Sequence, residues 1–153
     1  MGGKGIGPNP TDRSKSGTKR SLLVDGNGIP LGITVDRANR HDMKMTKATL
    51  QSIVIDRPEP TIKRPQNMCM DKGYDFPEVY DLLEEYGYTI HIRPRGEDSA
   101  NIRGIPGYRA RRWVVECTHS WMNRFRRLLI RWEKKMENYI AMLHFACALI
   151  TYR

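Results

Sequence analysis

Cysteine is scarce in this sequence, and the few cysteines present follow no metal-binding or disulfide pattern. The chain has 153 residues and three cysteines, Cys69, Cys117 and Cys147, which are far apart and odd in number. Because no C-x-x-C spacing occurs, neither a disulfide framework nor a zinc site is predicted. Reduced thiols in a cytoplasmic protein are the simplest interpretation.

Long apolar runs are also lacking, and no signal peptide is visible. The N-terminus is rich in glycine and has no apolar run, which argues against a secretory signal. The most apolar segment, residues 139–150, is too short to span a bilayer, so no membrane partner is expected from it. The four histidines show no ligand spacing, and His119, one turn from Glu116, is the best catalytic candidate among His41, His91, His119 and His144.

Positive charge, in contrast, is abundant and clustered. The chain carries 26 Lys and Arg against 17 Asp and Glu, a net charge of +9, and its isoelectric point is near 9.7. Residues 103–135 contain ten Lys or Arg and two Glu, a local charge of +8. This balance indicates a polyanionic partner, nucleic acid first and an anionic membrane second. The length predicts one domain with a real core.

Residues 109–131 read as one long basic helix with a single acid. The apolar residues are spaced three and four apart, as in a helix with one buried stripe; they are Val114, Cys117, Trp121, Phe125 and Leu128. Glu116 follows Arg112 by one turn, and Asn123 lies on the same side. One interpretation is an ion pair on a solvated face, worth roughly 0.2–0.5 kcal/mol. The other is a carboxylate beside a phosphate-binding surface, as a metal-dependent nuclease needs.

The remaining pattern predicts an α/β fold. Two apolar runs, residues 20–25 and 29–36, flank Asp25-Gly26-Asn27-Gly28 and predict a hairpin. Further strands are expected at 67–70 and 88–93, and residues 94–107 read as a polar loop. Helices are expected at 42–55, capped within 39–42, and from Asp75, as cap, to Gly87. A last helix, 137–152, is apolar nearly all round and is expected to be buried.

Asp71 is the second acid that the pattern singles out. It directly follows the short strand 67–70 and precedes Gly73, and ligands of open α/β sheets bind beyond the carboxyl ends of strands. A helix cap or turn acid is the alternative interpretation. Two carboxylates from separate elements can hold paired divalent metals for phosphoryl transfer, and oxygen ligands favour Mg²⁺ or Mn²⁺ over zinc.

Several motifs together resemble the DDE transposases of bacterial insertion sequences, specifically the insertion-sequence-five (IS-five) group. The resemblance covers nearly the whole chain. Its motifs are Gly17-Thr18-Lys19-Arg20 before Leu22-Leu23-Val24-Asp25, Ala38-Asn39-Arg40-His41-Asp42, Asp71-Lys72-Gly73-Tyr74, and Arg112-Trp113-Val114-Val115-Glu116 continuing to Ser120-Trp121-Met122-Asn123-Arg124-Phe125-Arg126-Arg127. Arg112 and Glu116 keep the family spacing, whereas Asn123 occupies the position of the family's lysine.

The resemblance implies an RNase H-like mixed sheet flanked by helices and a DNA transposase activity. It implies that Asp71 and Glu116 are the second and third of three catalytic acids that bind two Mg²⁺ or Mn²⁺ ions. DNA, as transposon ends and target, is the implied partner in the bacterial cytoplasm at the nucleoid. The expected DNA contacts are Lys72, Arg112, Asn123, Arg124 and Arg127.

The start of the chain departs from the family pattern. No apolar strand ending in the first Asp precedes Gly2, and Asp12, Asp25, Asp36 and Asp42 do not match its position. We therefore expect a flexible glycine-rich arm over residues 1–18 and a partial RNase H-like catalytic domain over 19–153, lacking its first strand. The chain would be a truncated copy or a downstream reading frame, inactive alone. The alternatives are a non-catalytic DNA-binding fragment that modulates full-length transposase, and a different RNase H-like nuclease.

Overall fold

The computed structural model describes residues 4–92 and 112–153, except for the side chain of Arg112. It divides into two compact units, one formed by Met1–Ile55 with Val114–Arg153 and the other by Asp56–Trp113. Strands and helices occur in both, as the predicted α/β class requires. The first unit contains the strands β1 (Gly7–Pro8), β2 (Ser16–Val24) and β3 (Pro30–Arg37) and the helices α1 (Met43–Gln51), α3 (Arg112–Asn123), α4 (Arg126–Leu129) and α5 (Met136–Tyr152). The second contains β4 (Gln66–Met70), a 3₁₀ turn (Lys72–Tyr74), α2 (Pro77–Glu85) and β5 (Tyr88–Ile92).

The predicted hairpin forms the centre of the first unit. β2 and β3 pair antiparallel from Thr18 opposite Arg37 to Val24 opposite Pro30. In the turn, one carboxylate oxygen of Asp25 accepts the amide hydrogens of Asn27 and Ile29, each at 2.8 Å. Gly28 has a φ of +86°, a conformation that glycine adopts without steric cost. The local turn chemistry therefore fixes the hairpin where the sequence predicted it.

The start of the chain is more regular than the predicted loop. β1 pairs antiparallel with the first residues of β2, with Gly7 opposite Gly17 and Pro8 opposite Ser16. The sheet thus has the order β1-β2-β3. Polar side chains join α1 to this sheet, because the Thr49 hydroxyl lies 2.8 Å from the hydroxyls of both Ser21 and Thr34. The flexibility expected for residues 1–18 stays a prediction.

The core of the first unit lies between β3 and the C-terminal helices. It consists of the buried residues Ile33, Met122, Leu128, Tyr139, Leu143 and Ala146. The last helix contributes three of these, but only on one face, since Phe145, Leu149 and Tyr152 are exposed. The predicted burial of this helix is therefore correct for one face only. Part of the apolar surface of this helix remains exposed in this unit.

The predicted long helix over 109–131 is two helices in its described part. The first helix ends at Asn123. After it, two short-range hydrogen bonds form, from the Arg124 amide to the Trp121 carbonyl and from the Phe125 amide to the Met122 carbonyl, both 3.1 Å. Phe125 is extended, with φ −80° and ψ 102°, and α4 follows. The break allows both Met122 and Leu128 to enter the same core, which a straight helix with a stripe at Val114, Cys117 and Trp121 would not do.

The second unit is a parallel strand–helix–strand motif. β4 pairs with β5 from Gln66 opposite Tyr88 to Met70 opposite Ile92. The intervening α2 buries Val79 and Leu83, and Gly87 ends the connection with a φ of +70°. Both strands match the predicted positions, although Arg93 and the predicted loop 94–107 lie outside the described residues. In α/β units such a parallel pair presents its carboxyl ends at one edge.

One predicted helix cap is wrong, and another is at the predicted position but makes no capping bond. Asp42 occupies the N-cap position of α1 but makes no capping bond there, because its carboxylate pairs with the Lys19 ammonium at 3.2 Å. Asp75 precedes the cap of α2, which is Phe76, and its carboxylate accepts the Tyr80 hydroxyl at 3.2 Å. In both places a tertiary or medium-range partner replaces the helix amide that the sequence suggested.

Candidate active site and nucleic-acid interface

Asp71 lies at the carboxyl end of β4, as predicted. It is exposed, and its extended backbone, with φ −76° and ψ 159°, ends the strand and begins the 3₁₀ turn. Its carboxylate accepts the amide hydrogen of Lys72 at 2.7 Å, and its carbonyl accepts that of Tyr74 at 2.9 Å. Asp71 therefore shapes the turn and still has an exposed carboxylate. Among the described residues, none other than its chain neighbours comes within 4 Å of a Cβ added at Gly73.

Lys72 is the predicted DNA contact beside this acid. It is exposed and is the first residue of the 3₁₀ turn. Its backbone amide donates a hydrogen bond to the Asp71 carboxylate. The positively charged side chain of Lys72 is attached to the residue next to this acid. This geometry suits a cation that would hold a phosphate near a carboxylate-bound metal.

Glu116 is exposed on α3, in the other unit. The opposite side of the helix is fixed by Thr118, whose buried hydroxyl donates to the Gly28 carbonyl at 2.8 Å and approaches the Val114 carbonyl at 3.2 Å. A Cβ on Gly28 would lie 3.0 Å from that hydroxyl, so the hairpin turn and the helix are in close contact. The turn thus sets the position of the helix that carries Glu116. The convergence of Asp71 and Glu116 stays a prediction.

Thr118 is the residue that the sequence pattern missed. The predicted stripe placed Cys117 inward, whereas Val114, Thr118 and Met122 are the buried positions of α3. These residues are four positions apart, which is also a helical spacing. The pattern of apolar residues did not reveal it, because threonine is polar. The buried Thr118 hydroxyl is satisfied by carbonyl oxygens, that of Gly28 in the hairpin turn at 2.8 Å and that of Val114 at 3.2 Å.

Asn123 ends α3 and has an intramolecular partner. Its side-chain oxygen accepts a hydrogen bond of 2.7 Å from the Arg20 guanidinium on β2. Any DNA contact by Asn123 is therefore left to its amide nitrogen. Nearby, His119 has a pKa below its ordinary value of 6.5, because partial burial of the ring disfavours its charged form and because Arg20 is positively charged.

The basic residues of the predicted interface divide into two groups. Arg124, Arg126 and Arg127 are exposed, and Arg127 makes an ion pair of 3.2 Å with Glu133. Arg131, in contrast, serves the fold: its guanidinium donates to Thr18 at 3.0 Å and to the Lys4 carbonyl at 3.2 Å. The Arg131 guanidinium therefore belongs to the contacts that hold the fold together. Arg109, Arg111 and the side chain of Arg112 lie outside the described residues.

The donor chemistry of the acids is suited to a hard divalent cation. Asp71 and Glu116 are exposed carboxylates, and oxygen ligands are those that Mg²⁺ and Mn²⁺ prefer. Within residues 4–92 and 112–153, no group of three or more His, Cys, Asp or Glu side chains is placed to hold a metal ion. In the same residues, no helix is long and apolar enough to cross a membrane.

Comparison with known proteins identifies the family. Residues 3–151 match the transposase DDE domain. The chain belongs to this family. It is also 35% identical over 146 residues to a putative transposase for insertion sequence element IS402 from Burkholderia cepacia, an alignment that covers 94% of this chain and 67% of the relative. No solved structure matches the chain. DNA binding and the use of a divalent metal are general properties of DDE transposase domains, so the nucleic-acid partner expected from the charge is consistent with the family.

Proposed function

We propose that this DDE domain catalyses metal-dependent cleavage and transfer of DNA strands at the ends of an insertion sequence of the IS-five group. Asp71 and Glu116 would be the second and third acids and would hold Mg²⁺ or Mn²⁺. The observation that carries the proposal is the position of Asp71, exposed directly after the carboxyl end of a parallel strand. When bound, the metal ions would activate the attacking oxygen and stabilise the leaving one.

The chain's own residues supply the electrostatic part of this chemistry. Lys72 lies next to one acid, and Arg124 and Arg127 are exposed beyond the end of the helix that carries the other. Cations in these positions would bind phosphates of the DNA backbone and would help to position the strand. Arg112 and the amide nitrogen of Asn123 complete the set of proposed DNA contacts.

The fold that we propose is RNase H-like, with the first strand and its acid contributed from outside residues 1–153. The antiparallel hairpin followed by α1, and the parallel β4–α2–β5 motif, occur in the order that this fold requires. The other acids of the hairpin region are already engaged. Asp25 binds two turn amides, Asp36 pairs with Arg40 at 3.4 Å, and Asp42 pairs with Lys19.

Substitution of the two acids tests the proposal. The chain would be extended at its N-terminus by a strand ending in Asp, and Mn²⁺-dependent cleavage of transposon-end DNA would be measured. Asp71→Asn and Glu116→Gln should each reduce cleavage to background while leaving DNA binding intact, because only metal binding is lost. Asp81→Asn and Glu137→Gln, exposed acids on α2 and α5, are the matched controls. Full cleavage by either active-site variant would contradict the assignment.

A non-catalytic role is the second candidate. It is favoured by the exposed arginines, which need no complete triad in order to bind DNA, and by the engagement of Asp25, Asp36 and Asp42 in local interactions. In this role the chain would occupy transposon ends or form mixed oligomers with a full-length transposase. Adding the chain to an active related transposase should then inhibit strand cleavage in proportion to its own DNA affinity. Absence of inhibition at saturating chain would exclude this role.

A further inference from the structure

The end of α4 and the segment that joins it to α5 expose three large apolar side chains in a strongly basic sequence. Leu129 and Ile130 are each 59% exposed, and Trp132 is 72% exposed. We call these three residues the apolar ridge. Residues 124–135 also contain six Lys or Arg and one Glu. Large apolar side chains exposed together commonly mark a binding surface in a folded protein.

The ridge is held by the residues that flank or separate its members. Leu128, immediately before it, is buried in the core. Arg131 donates to Thr18 and to the Lys4 carbonyl and lies over the Tyr139 ring, 5.3 Å from its centroid. The Glu133 side chain is only 9% exposed and pairs with Arg127. Because the residues on both sides of Trp132 are anchored, its indole is presented to solvent from a fixed backbone.

The surroundings of the ridge indicate what binds there. Arg124, Arg126, Lys134 and Lys135 are exposed and lie within six residues of the ridge in the sequence, so the ridge suits a partner that is both apolar and polyanionic. Nucleotides combine a flat apolar base with a phosphate. In a paired duplex the faces of the bases are covered by their neighbours, whereas an unpaired base has a free face that an indole can cover.

We propose that the apolar ridge binds unpaired nucleotide bases, with Trp132 as the stacking platform and the surrounding Lys and Arg side chains on the adjacent phosphates. The ridge would hold single-stranded or opened DNA next to the strand that is cut. This inference rests on the proposed function for its DNA partner. It adds a site that distinguishes opened DNA from paired DNA.

Binding of a single-stranded oligothymidylate and of a fully paired duplex would be compared for three variants of the full chain. Trp132→Ala should weaken single-strand binding by about 5- to 150-fold, the range for loss of one base stack, and should change duplex binding much less. Trp132→Phe should restore most of the affinity because it keeps an aromatic face. Phe145→Ala removes an aromatic residue that is 65% exposed on α5 and should have no effect.

Fluorescence supplies a second readout. Binding of the oligonucleotide should quench tryptophan emission in the unmodified chain, and Trp132→Phe should remove most of that quenching. Thermal melting would verify that each variant is folded.

The possible failures are distinguishable. If the unmodified chain shows no salt-sensitive DNA binding, the proposed function is wrong. If DNA binds but Trp132→Ala retains its single-strand affinity, or loses duplex and single-strand affinity equally, base stacking at the ridge is wrong. A change in oligomeric state without a change in DNA affinity would assign the ridge to a second copy of the chain and would also overturn the inference.

Discussion

The division of the basic residues into exposed and internal groups predicts which arginines determine the salt dependence of DNA binding. Arg124 and Arg127 are both exposed, although Arg127 also pairs with Glu133. Each phosphate contact on duplex DNA adds about 0.9 to the slope of log affinity against log salt. Arg124→Ala with Arg127→Ala should therefore reduce that slope by up to about 1.8. Over a fourfold change in salt concentration, this difference corresponds to about 12-fold in affinity.

The structure also predicts that the two arginines contribute unequally. Arg127 is paired with Glu133 at 3.2 Å, so it must exchange that carboxylate for a phosphate. Arg124 has no such ion pair among the described residues. The single variant Arg124→Ala should therefore show the larger loss of affinity.

The assay is fluorescence anisotropy of labelled transposon-end duplex at several salt concentrations. Lys44→Ala with Lys47→Ala, two exposed lysines on α1, removes the same charge from another element and controls for net charge. Arg131→Ala should retain the slope but lower the free energy of unfolding by about 1–3 kcal/mol, because its hydrogen bonds are internal. A wild-type slope in the Arg124 and Arg127 double variant would refute the placement of these residues on the DNA surface.

Three further predictions concern buried groups. Thr118→Val should lower the free energy of unfolding by about 1–3 kcal/mol, measured by urea unfolding, since it leaves the Gly28 carbonyl without its buried donor. The lowered pKa of His119 means that the unfolded chain takes the proton first, so stability should fall as pH drops through about 6.5; His119→Gln should flatten that profile. Burial raises the pKa of Cys147 to about 11, so its alkylation at pH 8 should be about a hundredfold slower in the folded chain than in urea, and equal rates would contradict its burial.

The hairpin and the parallel motif could be predicted because their signals are local. Asp25 and Gly28 lie within one turn, and the turn residues themselves make the bonds that shape it. Asp71 was placed correctly for the same reason, since a short apolar run, an acid and a glycine follow one another. In each place the residues that decide the conformation are neighbours in the sequence.

The break in the basic helix could not be predicted in this way. Nothing local excludes helix at Arg124 and Phe125, which are ordinary helical residues by propensity. The break is explained by the core, where Met122 and Leu128 both pack with residues of α5. Similarly, the partners of Asn123 and Arg131 are Arg20 and Thr18, more than a hundred positions away. Contacts at that separation leave no periodic pattern.

For an arginine of this domain, the sequence alone does not show whether the side chain contacts DNA or holds the fold together. A guanidinium binds phosphate, carbonyl and carboxylate oxygens by the same hydrogen bonds. A count of charges over residues 103–135 therefore gives an upper limit for phosphate contacts. The structure lowers the expected number of phosphate contacts, because the Arg131 side chain connects the N-terminal segment to the core. By the same bonds, Arg131 holds Trp132 in a fixed position in solvent. A guanidinium that does not contact DNA thus still contributes to the proposed ridge, because it anchors the backbone beside Trp132.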